Sequence, residues 1–178
     1  LLFGGILALL AHVIELPFSV YETFVIEERF GFNRTTPKTF VLDRLKGLLL
    51  MALIGGPVFA LVLWIFSAAG PWVWVYAWGA LTVIQLGLMV IAPIVFLPLF
   101  NKFIPLEEGA LKQTLEKYAE EQNFKLSGVF KMDGSRRSSR SNAFFTGLGR
   151  WRRIALFDTL IEKHSVPELM SILAHEVG

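Results

Sequence analysis

The chain ends in "SILAHEVG", Ser171 to Gly178, and two of these residues have side chains suited to hydrolytic metal chemistry. A zinc-protease helix reads H-E-x-x-H, with two His one turn apart and a Glu beside the first. His175 and Glu176 supply its first two letters, and the sequence stops one residue before the second His position. In that chemistry His175 gives an imidazole nitrogen to Zn²⁺, the metal lowers the pKa of a water, and Glu176 takes its proton as it attacks a peptide carbonyl. The bland alternative is a chance His-Glu pair whose carboxylate reaches solvent past the helix end.

The local helix favours the chemical reading. "SVPE", Ser165 to Glu168, has the form of a capping box, with Ser165 as N-cap, Glu168 at N3 and Pro167 in the first turn, where its missing N–H does no harm. Leu169, Ile172, Leu173 and Val177 then form an apolar stripe at helical spacing. At about 100° per residue, Glu176 falls between Ile172 and Leu173, at the centre of that stripe. A buried ionised carboxylate is costly unless it is paired or coordinates something.

The segments upstream must position this helix. In "NKFIPLEEGALKQTLEKYAEEQNF", Leu111, Leu115 and Tyr118 predict an amphipathic helix from about Glu107 to Gln122. "LSGVFKMDGS" alternates as a strand and turns at Asp133-Gly134. "SNAFFTGLGRWRRIALFDTLI" predicts a strand near Asn142 to Thr146, a glycine turn at Gly147 to Gly149 and a second strand around Arg153 to Phe157. A helix, a small antiparallel sheet and the final helix make an α+β module over residues 100–178. Its 77 residues from Lys102 build a small core, expected to be completed by further C-terminal chain.

The rest of the chain is a different material. Hydrophobic residues make up 54% of the sequence and charged residues 18%, against about 25% charged in an ordinary soluble domain. No Asp, Glu, Lys, Arg or His occurs in the 55 residues from Gly47 to Asn101, and a membrane helix needs about 20 apolar residues. Residues 48–99 therefore read as a transmembrane hairpin, Leu48 to Phe66 and Trp72 to about Leu97, turning at "SAAGPW" beside a belt of Trp and Tyr. Residues 1–14 read as a membrane helix whose start is cut, since neither a basic region nor a cleavage site of a signal peptide is present. Residues 15–47 read as a cytoplasmic helix and loop, with Pro17 and Ser19 beginning a helix that Gly31 stops near Phe30, followed by the loop "GFNRTTP".

All 17 Lys and Arg lie outside the hairpin, so the positive-inside rule places both charged regions, and the candidate site, in the cytoplasm. Net charge is +2 with 15 acids interleaved, which argues against a nucleic-acid partner. The clusters "RRSSR" and "RWRR" suit flanks beside anionic lipid of the bilayer. The absence of cysteine excludes disulfides and thiolate metal ligands in this sequence.

Five stretches in order, "LPFSVYETFVIEERFGFN", "PLFNKFIPLEEGALK", "GSRRSSRSNAFFTG", "RIALFDTLI" and "LAHEVG", resemble the type I CAAX prenyl proteases, integral-membrane zinc metalloproteases related to the yeast a-factor processing enzyme. The resemblance implies part of a seven-helix α-helical barrel around a water-filled chamber, and cleavage of a peptide or prenylated-peptide substrate at a CAAX terminus. It implies His175 as the first zinc ligand and Glu176 as the general base. It also implies that Ser141, Asn142, Ala143 and Phe144 form the edge strand that pairs with the substrate backbone, a mode in which main-chain hydrogen bonds supply recognition. Turn chemistry is the plainer role for Asn142.

The resemblance also implies a second His, a later Glu ligand, an oxyanion-stabilising His and Arg and last membrane helices that lie outside this sequence. One protein ligand does not hold zinc in a hydrolytic site, so the polypeptide alone is expected to be inactive and to need the remaining C-terminal chain as its partner. The short link from "FDTLI" to "LAHEVG" favours a bacterial inner membrane over the endoplasmic reticulum. Heat-shock-type membrane metalloproteases share a "SNAF"-like strand, but "VIEERFGFN" argues against them. A noncatalytic membrane-anchored scaffold, in which Glu176 is structural, stays open.

Overall fold

The computed structural model describes residues 1–68, 70–121, 126–146 and 152–177, with side chains of the last helix described through residue 175. The chain divides into two units, residues 1–86 and 87–178. Three long apolar helices, Leu2–Arg29, Pro37–Ala68 and Gly70–Phe100, have the length and composition to cross a membrane. The first comprises α1 (Leu2–Tyr21), a π turn over Glu22–Ile26 and α2 (Glu27–Arg29). The second comprises α3 (Pro37–Leu50), a π turn over Met51–Gly55 and α4 (Gly56–Ala68). The third begins with a 3-10 turn over Gly70–Trp72 and continues through α5 (Val73–Ile91), a π turn over Ala92–Phe96 and α6 (Leu97–Phe100).

Two expectations change here. Pro17 does not start a helix but sits inside α1. An interior proline removes one backbone bond, and membrane helices tolerate it where neighbouring groups re-satisfy the backbone. The hairpin helices also extend beyond the bounds read from hydropathy, to Pro37 on one side and Phe100 on the other. Hydropathy marks the apolar stretch, whereas the backbone ladder continues until something caps it. Thr36 caps α3, its Oγ1 accepting the Thr39 N–H at 3.2 Å, with Pro37 in the first turn. The stop at Gly31 matches expectation: φ is +68°, the Gly31 N–H bonds Glu28 O and the Phe32 N–H bonds Glu27 O, a Schellman closure.

The second unit carries a four-stranded sheet of β1 (Phe103–Pro105), β2 (Gly128–Met132), β3 (Ala143–Thr146) and β4 (Arg153–Phe157), in the order β1-β2-β4-β3. The sheet is mixed rather than antiparallel: β2 and β4 run parallel, while β1·β2 and β3·β4 are antiparallel. The segment between β2 and β4 is long enough for the crossover that a parallel pair needs, and β3 is built inside it. Three helices complete the module, α7 (Ala110–Glu121), α8 (Asp158–Lys163) and α9 (Val166–Val177). α7 starts later than expected because Leu106 is drawn to the sheet, its N–H bonding Val129 O at 2.9 Å. One core gathers Leu115 of α7, Val129 of β2, Ala143 of β3, Ile154 and Leu156 of β4, Leu160 of α8, and Leu169 and Leu173 of α9. The turn expected at Gly147 to Gly149 lies outside the described residues.

Candidate active site

α9 begins at the expected place. The Ser165 N–H and Oγ–H both donate to Glu168 Oε2 at 2.8 Å, and the Leu169 N–H bonds Ser165 O at 3.0 Å. Half of the capping box is therefore present: Glu168 reaches back, while the serine hydroxyl serves the carboxylate instead of the N3 amide. These two bonds, the backbone one foremost, hold the Glu168 carboxyl below its ordinary pKa. Leu169 and Leu173 are buried and Ile172 is packed against the core, so the predicted stripe faces inward at these three residues, and the Val177 side chain lies outside the described residues. His175, two residues past Leu173, is exposed. Glu176 lies in the same helix, and its side chain falls outside the described residues.

β3 is an edge of the sheet, as the reading of "SNAF" requires. Ala143 is buried against the same core as Leu169 and Leu173, so the edge strand and the helix bearing His175 are packed together. Asn142 O accepts the Phe157 N–H at 3.0 Å and extends the β3·β4 ladder by one residue. Antiparallel alternation then turns the amides of Ala143 and Phe145 toward the outer edge. The Asn142 side chain behaves as turn chemistry would have it, Oδ1 accepting the Ala143 N–H at 2.9 Å. Ser141 is occupied too, its Oγ–H donating to Thr159 O at 3.2 Å. Phe144 meets Phe157 edge-to-face at 6.2 Å.

Beside β3 lies an apolar pocket of about 490 Å³, lined by Ala92, Pro93, Phe96 and Leu97 from the end of the third long helix and by Phe144 and Thr146 from the strand. Among the described residues, Thr146 Oγ1 is buried without a hydrogen-bond partner, and so is Nε of Arg153, its cross-strand neighbour. The Arg153 guanidinium lies over the Phe130 ring, 5.5 Å from its centroid.

Several supporting residues were not anticipated from the sequence. Arg137, within "RRSSR", donates from Nη1 to Asn101 Oδ1 at 2.7 Å and from Nη2 to Phe100 O at 2.6 Å. It thus caps the C-terminal end of the third long helix, where backbone carbonyls lack helical partners. Gly134 is buried against Phe157, and a Cβ there would fall 2.2 Å from that ring. Asp-Thr directly after a strand signals a helix start, but not the distant groups to which Asp158 and Thr159 bond.

The donor chemistry can be tested against a metal. His175 presents an accessible imidazole on the last turn of α9, the right kind of donor. Among the described residues no three His, Cys, Asp or Glu side chains gather as a metal cluster. The residues fit one ligand's share of a site.

Three membrane-length helices followed by a small α+β module define a multi-pass membrane protein. Residues 1–102 match the model of the CAAX prenyl protease N-terminal region, described as five membrane helices, and residues 105–178 match peptidase family M48. The chain belongs to this family of CAAX-prenyl-protease-type M48 peptidases, whose metallopeptidase character implies a metal. It is 46% identical to a CAAX prenyl protease 1 homolog of rice over 94% of this chain and 40% of the relative. It is 45% identical to CAAX prenyl protease 1 of Saccharomyces cerevisiae over the whole chain and 40% of that protein. The crystal structure of S. mikatae Ste24p superposes with a TM-score of 0.94 at 45% identity, over 98% of this chain and 41% of that one. The chain thus spans about two fifths of the length of these relatives. They are eukaryotic, and a bacterial inner membrane has no support among them.

Proposed function

We propose that this chain is the part of a membrane zinc endopeptidase that binds substrate and supplies the first zinc ligand and the general base, acting on CAAX-type, prenylated C termini. The observation that carries the reading is the packing of edge strand β3 and the His175-bearing helix on one core through Ala143 and Leu173. A peptide added along β3 gains main-chain hydrogen bonds from the outward-turned backbone of Ala143 to Phe145. The Asn142 side chain satisfies the Ala143 N–H and gives it up when a substrate carbonyl takes that place. The neighbouring pocket, whose described wall residues carry no charge, suits an apolar group carried by the peptide. His175 would hold the metal through an imidazole nitrogen, with the other ligands supplied from outside this sequence. When bound, zinc supplies a Lewis acid that polarises the scissile carbonyl and makes water more acidic. Glu176 accepts the proton of the attacking water and returns it to the leaving amine. The charge distribution supports a cytoplasm-facing site.

The test is cleavage of a prenylated CAAX peptide by the full-length protein. Cleavage is expected to be lost on chelation and restored by zinc, and Glu176→Gln is expected to lower kcat by about 10²- to 10⁴-fold. Undiminished cleavage by Glu176→Gln removes the general-base role.

A further inference from the structure

The segment that feeds the edge strand, Gly134 to Asn142, has one short 3-10 turn over Gly134–Arg136. α8 holds it at several points along its length. The Asp158 carboxylate accepts the Ser135 N–H at 2.8 Å and the Ser135 hydroxyl. Lys163 Nζ donates to Ser139 O at 2.6 Å. Thr159 makes the two bonds nearest the strand: its Oγ1–H donates to Arg140 O at 2.8 Å, and its own carbonyl accepts Ser141 Oγ–H at 3.2 Å. Thr159 is 1% exposed, so water cannot replace either bond.

The connectivity explains why α8 is suited to this. α8 follows β4 without a break, and β4 is the ladder partner of β3. The strand is therefore tied to one continuous piece of chain twice, along its length by the ladder from Phe157 and at its entrance by Thr159. A hydrogen-bonded entrance fixes where the strand begins, which sets the register and aim of the backbone groups on its outer side. We propose that Thr159 is a positioning residue for peptide binding, acting through Arg140 and Ser141 on β3. This rests on the reading of β3 as the substrate strand.

A misplaced edge strand weakens ground state and transition state alike, since the strand lies outside the reacting groups. Uniform loss of binding raises KM and leaves kcat alone. In the metal-loaded full-length protein, Thr159→Val removes the hydroxyl and is expected to raise KM for a prenylated peptide roughly five- to tenfold, the worth of about one net hydrogen bond. The kcat is expected to stay within about twofold, and Thr159→Ser, which keeps the hydroxyl, is expected to restore KM. Hydrogen exchange at the amides of residues 142–146 is expected to accelerate in Thr159→Val while that of α7 is unchanged. An unchanged KM, or a fall in kcat at constant KM, overturns the proposal. Should Thr159→Val fail to fold, Lys163→Met loosens the same segment from its exposed side; a rise in KM of about twofold is expected, and none overturns the proposal. Loss of the proposed activity reads separately: if the wild type cleaves no peptide, the exchange rates alone decide, and unchanged rates at residues 142–146 overturn the positioning role.

Discussion

Val83 of α5 leaves 71% of its surface exposed, whereas Leu156 of β4 leaves none. Both are aliphatic, and the difference lies in what each region is built to meet. In the long helices the apolar windows are buried by 6%, 6% and 0% within the protein, yet their backbone bonds are closed within each helix. Such helices can turn their side chains toward hydrocarbon. The sheet module follows the opposite rule: Val129, Ala143, Ile154 and Leu156 of β2, β3 and β4 meet Leu115, Leu160, Leu169 and Leu173 of α7, α8 and α9 in one core. An apolar residue is therefore a surface residue in one region and a core residue in the other, and substitutions should separate the two.

The largest effect is expected at Leu156, where truncation to Ala leaves a cavity and costs about 2–5 kcal/mol; thermal unfolding of the full-length protein measures it. A loss below 1 kcal/mol would mean that the module has no such core. Next, Val83→Asp is expected to cost about 2.5–3.5 kcal/mol of membrane insertion, read by the fraction of chains spanning the bilayer in a translocation assay. Insertion equal to wild type would break the bilayer-facing side of the comparison. The smallest effect concerns Glu168, whose carboxyl is held below its ordinary pKa by the amide and hydroxyl of Ser165. A depressed carboxyl stabilises the folded state above its unfolded pKa, and that share is lost as pH falls through the folded value. Replacing it by Gln is expected to flatten the acid side of the melting-temperature profile slightly and leave the neutral side displaced. An unaltered acid limb would assign the acid sensitivity to other carboxylates.

The two regions were also unequally legible in the sequence. An uncharged run from Gly47 to Asn101 marks membrane helices whatever their neighbours do, but their ends depend on single capping groups such as Thr36, and on a proline whose meaning changes with its surroundings. In the module, alternation located β4 from Arg153 to Phe157 and nearly located β3. It could not reveal that β2 and β4 run parallel, because side-chain alternation is the same in either direction. Short β1 carries too few residues for a pattern. At the candidate site, the helix that carries His175 and the strand at "SNAF" could be placed because their signals are local. Thr159, Asp158 and Arg137 could not, because their partners are 18 to 37 residues away in sequence.

The sheet's other border has a consequence of its own. β1 is three residues long and ends in Pro105, which has no N–H to offer a neighbouring chain. Prolines and very short strands are how natural sheets blunt a sticky margin against aggregation. With that side blunted, β3 is the margin of the described sheet left to accept a further strand, and pairing of two copies of this chain along β1 is disfavoured.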